Sequence, residues 1–397
     1  MSLLERLKLK QAQYIYIGAA VVVAVIIIAL ILAFSGNSTD KKHDRQKEEL
    51  SLSDLIADHT FRLEGKVYKL PISYKDLVTD GWELYSINTD MNEYLGGLAQ
   101  KPITLIKNEK AIDIVIFNGS ENATMAKDCL VGAITVFKEN KVDFAVAGGV
   151  SLNMSEDDII KKLGTPTNQT EGEANVIMEW AVGASAGVKV DSYFGENEKY
   201  SNITISNIVQ SKEKVTPKSK APKFLDDYTA PEEIGEKLNL PRFSFEGEVF
   251  ELPVPLREMY NSGWEVAAEE TLLMSGGTQT IKLKNGDKKI TVEIVNPSLY
   301  KTYLEYCIVK KVICEAGDGA SFELPNGVKI GLSEAKLKAA MPKGTTVQSG
   351  LYSTSYSYSD FTNGKLSINI SVDNNTKEIT RISVENTTDL ISGLIIE

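Results

Sequence analysis

Residues 68–84 read YKLPISYKDLVTDGWEL, and residues 250–266 read FELPVPLREMYNSGWEV. An internal repeat constrains a fold more than any local pattern, because each copy must build the same supersecondary unit. Phe61, Glu64, Gly65, Val67, Leu70, Pro71, Gly81, Trp82 and Glu83 return 182 residues later as Phe243, Glu246, Gly247, Val249, Leu252, Pro253, Gly263, Trp264 and Glu265. Further on the offset shrinks to 178. Asn118 then matches Asn296, Cys129 matches Cys307, Phe144 matches Phe322, and Ser155–Glu156 match Ser333–Glu334. Small deletions in loops account for the drift.

The repeat divides the chain. Module 1 spans 61–209, 210–242 is a linker, and module 2 spans 243–397. The linker carries QSKEKVTPKSKAPK at 210–223, a flexible composition. Upstream, residues 14–34 read YIYIGAAVVVAVIIIALILAF, without a charge or a proline. As a helix this run would be about 31 Å long, the thickness of a bilayer's hydrocarbon core. It is longer than a signal-peptide core of about 7–15 residues. The expectation is an uncleaved transmembrane helix at 14–34, with 1–13 cytoplasmic and 35–60 a stalk. Basic residues flank the run almost evenly, and the long following region is expected outside. That places the protein in the cell membrane as a single-pass species with its C-terminal region extracytoplasmic.

Period and caps predict the elements of each module. FRLEGKVYKLP alternates about Glu64–Gly65 as a hairpin does. SYKDLVTDG reads as a short helix, opened by Ser73 and closed by Gly81, with Pro255 in the place of Ser73 in the second copy. A second hairpin turns at Asn108–Glu109 and, in copy two, at Asn285–Gly286. CLVGAITV and CIVKKVIC are strands. In MSEDDIIKKLGTP, Ser155 caps, the acidic residues fill the first turn, and Gly164 stops the helix. Strands near 176–182, 187–194 and 201–207 close the module. The predicted fold class is α+β: an N-terminal transmembrane helix and two tandem, mostly antiparallel repeat domains.

The second half of each module resembles the BamE/SmpA-like module: a small-residue turn, a capped helix, then strands. The residues that carry the likeness are Gly149, Ser155, Ile159, Leu163, Gly164 and Pro166, and in copy two Gly331, Ser333, Leu337 and Pro342. A tandem of such modules is similar to the β-lactamase inhibitor protein architecture. The resemblance covers about 60 residues per copy. It implies a role in envelope assembly or protein–protein binding, and it carries over no functional residue.

The side-chain inventory narrows the chemistry. The two histidines, His43 and His59, both precede the repeats. Histidine-based nucleophilic catalysis and a His-ligated zinc site inside a module are therefore excluded. No phosphate-cradling glycine motif appears. The net charge of −11 repels phosphate backbones and argues against nucleic acid. Cys129, Cys307 and Cys314 offer no disulfide framework and read as buried apolar thiols. The shared carboxylates, Glu64 and Glu246, Glu83 and Glu265, Glu156 and Glu334, keep a carboxylate-dependent cell-wall enzyme as an alternative. DNNTKE at 373–378 lacks calcium-loop grammar and reads as a hairpin turn. Trp82 and Trp264 read as core indoles. The candidate binding surface is the tract YSTSYSYSDF, with Tyr352, Tyr356, Tyr358 and Phe361 as a stacking face for sugar or peptide, against its reading as one face of an ordinary strand.

The function expected is a membrane-anchored, extracytoplasmic binding or scaffold protein of a bacterial cell envelope, not an enzyme, with no catalytic, cofactor or metal residues. Its expected partners are the membrane through residues 14–34 and an extracytoplasmic protein or envelope polymer. A sensor of wall polysaccharide or peptide is the further alternative.

Overall fold

The computed structural model describes residues 50–85, 89–267, 271–360, 365–387 and 394–395. They form two compact units. The first runs to Gly119 and resumes over Met125–Lys212; the second comprises Ser120–Thr124 and the chain from Glu213 onward.

Each unit is built on one nine-stranded antiparallel sheet. In the first unit the order is Asn168–Glu171, Asn175–Gly183, Ala186–Tyr193, Asn202–Asn207, Leu130–Phe137, Lys110–Phe117, Gln100–Lys107 and Glu83–Leu84, with Ile72–Ser73 pairing beside Leu130–Phe137. In the second unit it is Thr346–Ser349, Ser353–Asp360, Lys365–Asp373, Ile379–Thr387, Ile308–Glu315, Lys288–Val295, Thr278–Asn285 and Glu265–Val266, with Val254–Pro255 off the path. Even the β-bulge repeats. It falls between Val115 and Ile116 in one copy and between Glu293 and Ile294 in the other, 178 residues apart.

The opening phrase builds a small hairpin and a helix that cover this sheet. Thr60–Leu63 pairs with Lys66–Lys69, and Arg242–Phe245 with Glu248–Glu251. Glu64 and Gly65 both have positive φ, as do Glu246 and Gly247, which suits the right-handed strand twist of a tight hairpin. Helix α1 (Tyr74–Thr79) is capped by the Ser73 hydroxyl, which accepts from Lys75 N–H. Helix α2 (Glu156–Leu163) is capped by Ser155, which accepts from Asp158 N–H. Helices α3 (Leu256–Asn261) and α4 (Glu334–Ala340) are their counterparts in the second unit.

One face of the large sheet forms each core. Ile112, Ile114, Ile134, Ile203 and Val190 pack with Phe61, Leu77, Trp82 and Ile159 in the first unit. Val292, Val312, Ile382 and Ile370 pack with Phe243, Met259, Trp264 and Leu337 in the second. Both tryptophans are core indoles.

The structure corrects the α+β expectation. Strand takes up 46% of the described residues and helix 17%, and none of the four α-helices among them exceeds eight residues. Each unit is an all-β domain with short helical turns. Capping residues mark where a helix starts and stops, whatever its length; segments this short are held by packing on the sheet.

The single-pass membrane expectation and the cell-membrane localisation built on it are corrected too. Among the described residues no helix is long and apolar enough to cross a membrane; the span predicted at 14–34 lies outside them. Two local expectations also shift. The second-copy hairpin turns at Gly286–Asp287, because Asn285 still pairs with Lys288. The segment read as a linker is partly packed: Leu225 and Leu238 are buried in the second unit, and Tyr228 lies against its core.

Candidate functional site

The polar residues shared by the two copies serve the fold. Glu64 takes an ion pair from Lys110 at 2.6 Å and accepts Asp143 N–H at 2.7 Å. Glu246 does the same with Lys288 and with Ser321 N–H at 2.7 Å. The hydrogen bond from Lys288 holds the Glu246 carboxyl below its ordinary range against the opposing effect of desolvation, with Ser321 N–H helping. Asn118 is buried and donates to Leu95 O and Gly96 O; Asn296 donates to Leu273 O, Met274 O and Tyr300 O. Asn207 donates to Leu70 O and Asn386 to Leu252 O, joining the closing strand to the opening phrase. Glu156 and Glu334 fill the first turns of α2 and α4. Glu83 and Glu265 are exposed on short edge strands.

The thiols are buried and free. Burial pushes Cys129 up to about 11 and Cys314 up to about 12, with neighbouring acidic groups adding to both. Burial raises Cys307 as well. A thiol so shifted carries little thiolate at neutral pH and is a poor nucleophile. Among the described residues no group of three or more His, Cys, Asp and Glu side chains is placed to hold a metal ion.

The aromatic tract divides. Its strand, Ser353–Asp360, pairs with Thr346–Ser349 just as Asn175–Gly183 pairs with Asn168–Glu171, at a constant offset of 178. Tyr356 therefore stands where copy one has Met178, and Tyr358 where it has Trp180. Tyr356 is buried, and its hydroxyl donates to Glu334 Oε1 at 2.5 Å. Tyr358 is half-buried against the same core. Phe361 lies outside the described residues. The stacking face expected from the tract is not assembled by Tyr356 and Tyr358. Of the tract's described aromatics only Tyr352 is well exposed, at 77%.

Tyr352 belongs to a different feature: the tip of the hairpin at the end of the sheet. Gly350 N–H bonds to Ser353 O at 2.8 Å and closes the turn. Asn374 then fixes it from the side. Its amide nitrogen donates to Gly350 O at 2.9 Å and Leu351 O at 3.3 Å, its backbone N–H donates to Tyr352 O, and its side-chain oxygen accepts from Thr354 Oγ1. On this fixed turn Leu351 is 82% exposed, and Val347 on the adjoining edge strand is 50% exposed. Copy one closes the same turn by the same bond, Gly172 N–H to Asn175 O. There the two tip residues are Glu173 and Ala174, and the edge strand ends in Glu171.

Reading the sequence for shared residues could not find Val347 and Leu351. The signal lay in the positions where the copies differ. No family model matches the chain, and no curated protein or solved structure matches it.

Proposed function

We propose that the chain is a non-catalytic protein-binding module whose contact element is the edge hairpin 346–360 of the second unit. The observation that carries this reading is the pair of large, exposed side chains, Leu351 and Tyr352, on a turn held by Asn374. Tyrosine is among the residues enriched at the energetic centres of protein interfaces, and the exposed Leu351 beside it adds apolar area to bury. Holding them on an ordered turn removes part of the entropy lost on association. The internal comparison isolates the feature: the first unit builds the same turn and covers it with Glu173 and Ala174. The pairing of Glu64, Glu246 and Glu334 with lysines supports the non-catalytic part of the reading. So does the resemblance of each module's second half to BamE/SmpA-like and tandem β-lactamase-inhibitor-protein modules.

The test compares partners captured from a lysate of the source cells by the immobilised full chain and by two variants. Leu351→Glu/Tyr352→Ser is expected to reduce capture of a specific partner at least tenfold. Glu173→Ser/Ala174→Ser, at the equivalent turn, is expected to leave it unchanged. Equal capture by all three proteins would overturn the assignment of the site.

A further inference from the structure

We propose that the occupant of this edge is a second copy of the same chain, paired strand to strand about a two-fold axis at Gln348. The inference rests on the reading of the edge hairpin as the binding element and names its partner.

The backbone pattern sets the geometry. Because Gly350 and Ser353 form a bonded pair, the alternation of an antiparallel ladder makes Gln348 with Ser355 and Thr346 with Ser357 the next inward-bonded pairs. Val347 and Ser349 therefore direct their N–H and C=O groups away from the sheet. The strand order ends at this strand, so no described strand pairs on that side. Two copies related by a two-fold axis at Gln348 place Val347 opposite Ser349 of the second copy, and the reverse. That register uses all four outward groups in each strand.

Side chains favour the same operation. Under a two-fold axis the strand meets its own sequence running the other way, so an edge that carries like charges near the axis repels its copy. Thr345–Tyr352 holds no ionisable group except the Tyr352 phenol. The nearest charge, Lys343, stands ten residues from its symmetry mate along the strand, about 30 Å, far beyond the screening length of about 8 Å. Val347 shares the inner face with Tyr356, its partner in register. Across the axis Val347 would pack on Ser349 of the second copy, with the other Val347 as its diagonal neighbour about 7–8 Å away, which covers part of the surface now left to water.

The first unit shows what forbids the contact. Its edge strand has the same bonding pattern, so the same operation brings Glu171 to within about two residues of its own copy, a separation inside the screening length. Glu173 follows at once. One of the two edges tolerates its own image and the other rejects it.

The register has one direct consequence. Gln348 faces itself across the axis in a non-bonded pair, with a Cα separation of about 4.5 Å, within disulfide range. Gln348 is exposed, so Gln348→Cys leaves the core untouched, and the native thiols are buried. The full chain carrying Gln348→Cys, treated with diamide at low protein concentration, is expected to form disulfide-linked dimers at least tenfold faster than Thr170→Cys, the equivalent position of the first unit. Adding Val347→Pro, which removes an outward N–H, is expected to return the rate to the Thr170→Cys level. Equal rates for Gln348→Cys and Thr170→Cys would overturn the second copy as occupant. If, in that case, Leu351→Glu/Tyr352→Ser still loses a captured partner, the binding reading stands with a different occupant; if that variant also behaves as wild type, the reading falls with it.

Discussion

Asn296 has no exposed surface and donates to three backbone carbonyls while accepting from Ser298. Removing it takes one donor from each carbonyl, although Met274 O keeps Gly277 N–H and Tyr300 O keeps the Ser298 hydroxyl, and it strips the buried Ser298 N–H of its acceptor. Asn296→Ala is expected to destabilise the second unit by about 3 kcal/mol, read as a lower urea midpoint. Glu246 makes a pH prediction of known sign. Its folded value lies below the ordinary 4.5, so its contribution is fully present above that value and is lost as pH falls through the lowered one. The urea midpoint of the second unit should therefore fall as the pH drops below 4.5, and Glu246→Gln should flatten that fall. A midpoint with the same pH slope in both proteins would show that the Lys288 contact contributes nothing. These residues were visible in the sequence only as repeated letters. Glu64 and Glu246 look like candidate carboxylates until their lysines and backbone donors, 42 or more residues away, are known.

Among the elements, the bulge separates what the two copies share from what they do not. Gly132 is the extra residue of the bulge in Leu130–Phe137, and Lys310 is its counterpart. A Cβ on Gly132 would lie 2.6 Å from Ile208 Cγ1 and 2.7 Å from Phe117 Cδ1. Lys310 instead reaches Glu293 at 2.7 Å. Gly132→Ala is expected to cost the first unit about 1–3 kcal/mol through overpacking, whereas Lys310→Ala introduces no clash and leaves Glu293 beside Lys311, so it should cost the second unit less. Thermal melts of the two variants check the contrast. Strand and hairpin positions were legible because alternation and positive-φ turn residues are local signals. The edge strands Asn168–Glu171 and Thr346–Ser349 were not: all eight residues are exposed, so neither strand has a buried face to print a pattern.

At the scale of the whole molecule, the two large hydrophobic cores among the described residues lie one in each unit, and each holds one tryptophan from the repeated phrase: Trp82 in the first and Trp264 in the second. Truncating a buried tryptophan costs about 3–5 kcal/mol. Trp82→Ala and Trp264→Ala should therefore displace different calorimetric transitions, and a single transition moved alike by both would contradict two cores. The three thiols should stay unreactive to an aromatic disulfide reagent near pH 8 until the unit that holds them unfolds, since all are buried with raised pKa values. By itself the sequence showed a module written twice, with its hairpins, helix starts and core indoles, and it read that module as α+β. Repetition, alternation and capping act over a few residues and leave their mark in order along the chain. Three matters were decided only by tertiary structure: that the short helices are minor parts of an all-β domain, that Tyr356 belongs to the core with Tyr358 half-buried against it, and that Thr346–Ser349 is an open edge among the described strands. Each depends on which strands lie side by side, and strand order is set by long-range packing that local residue patterns do not record.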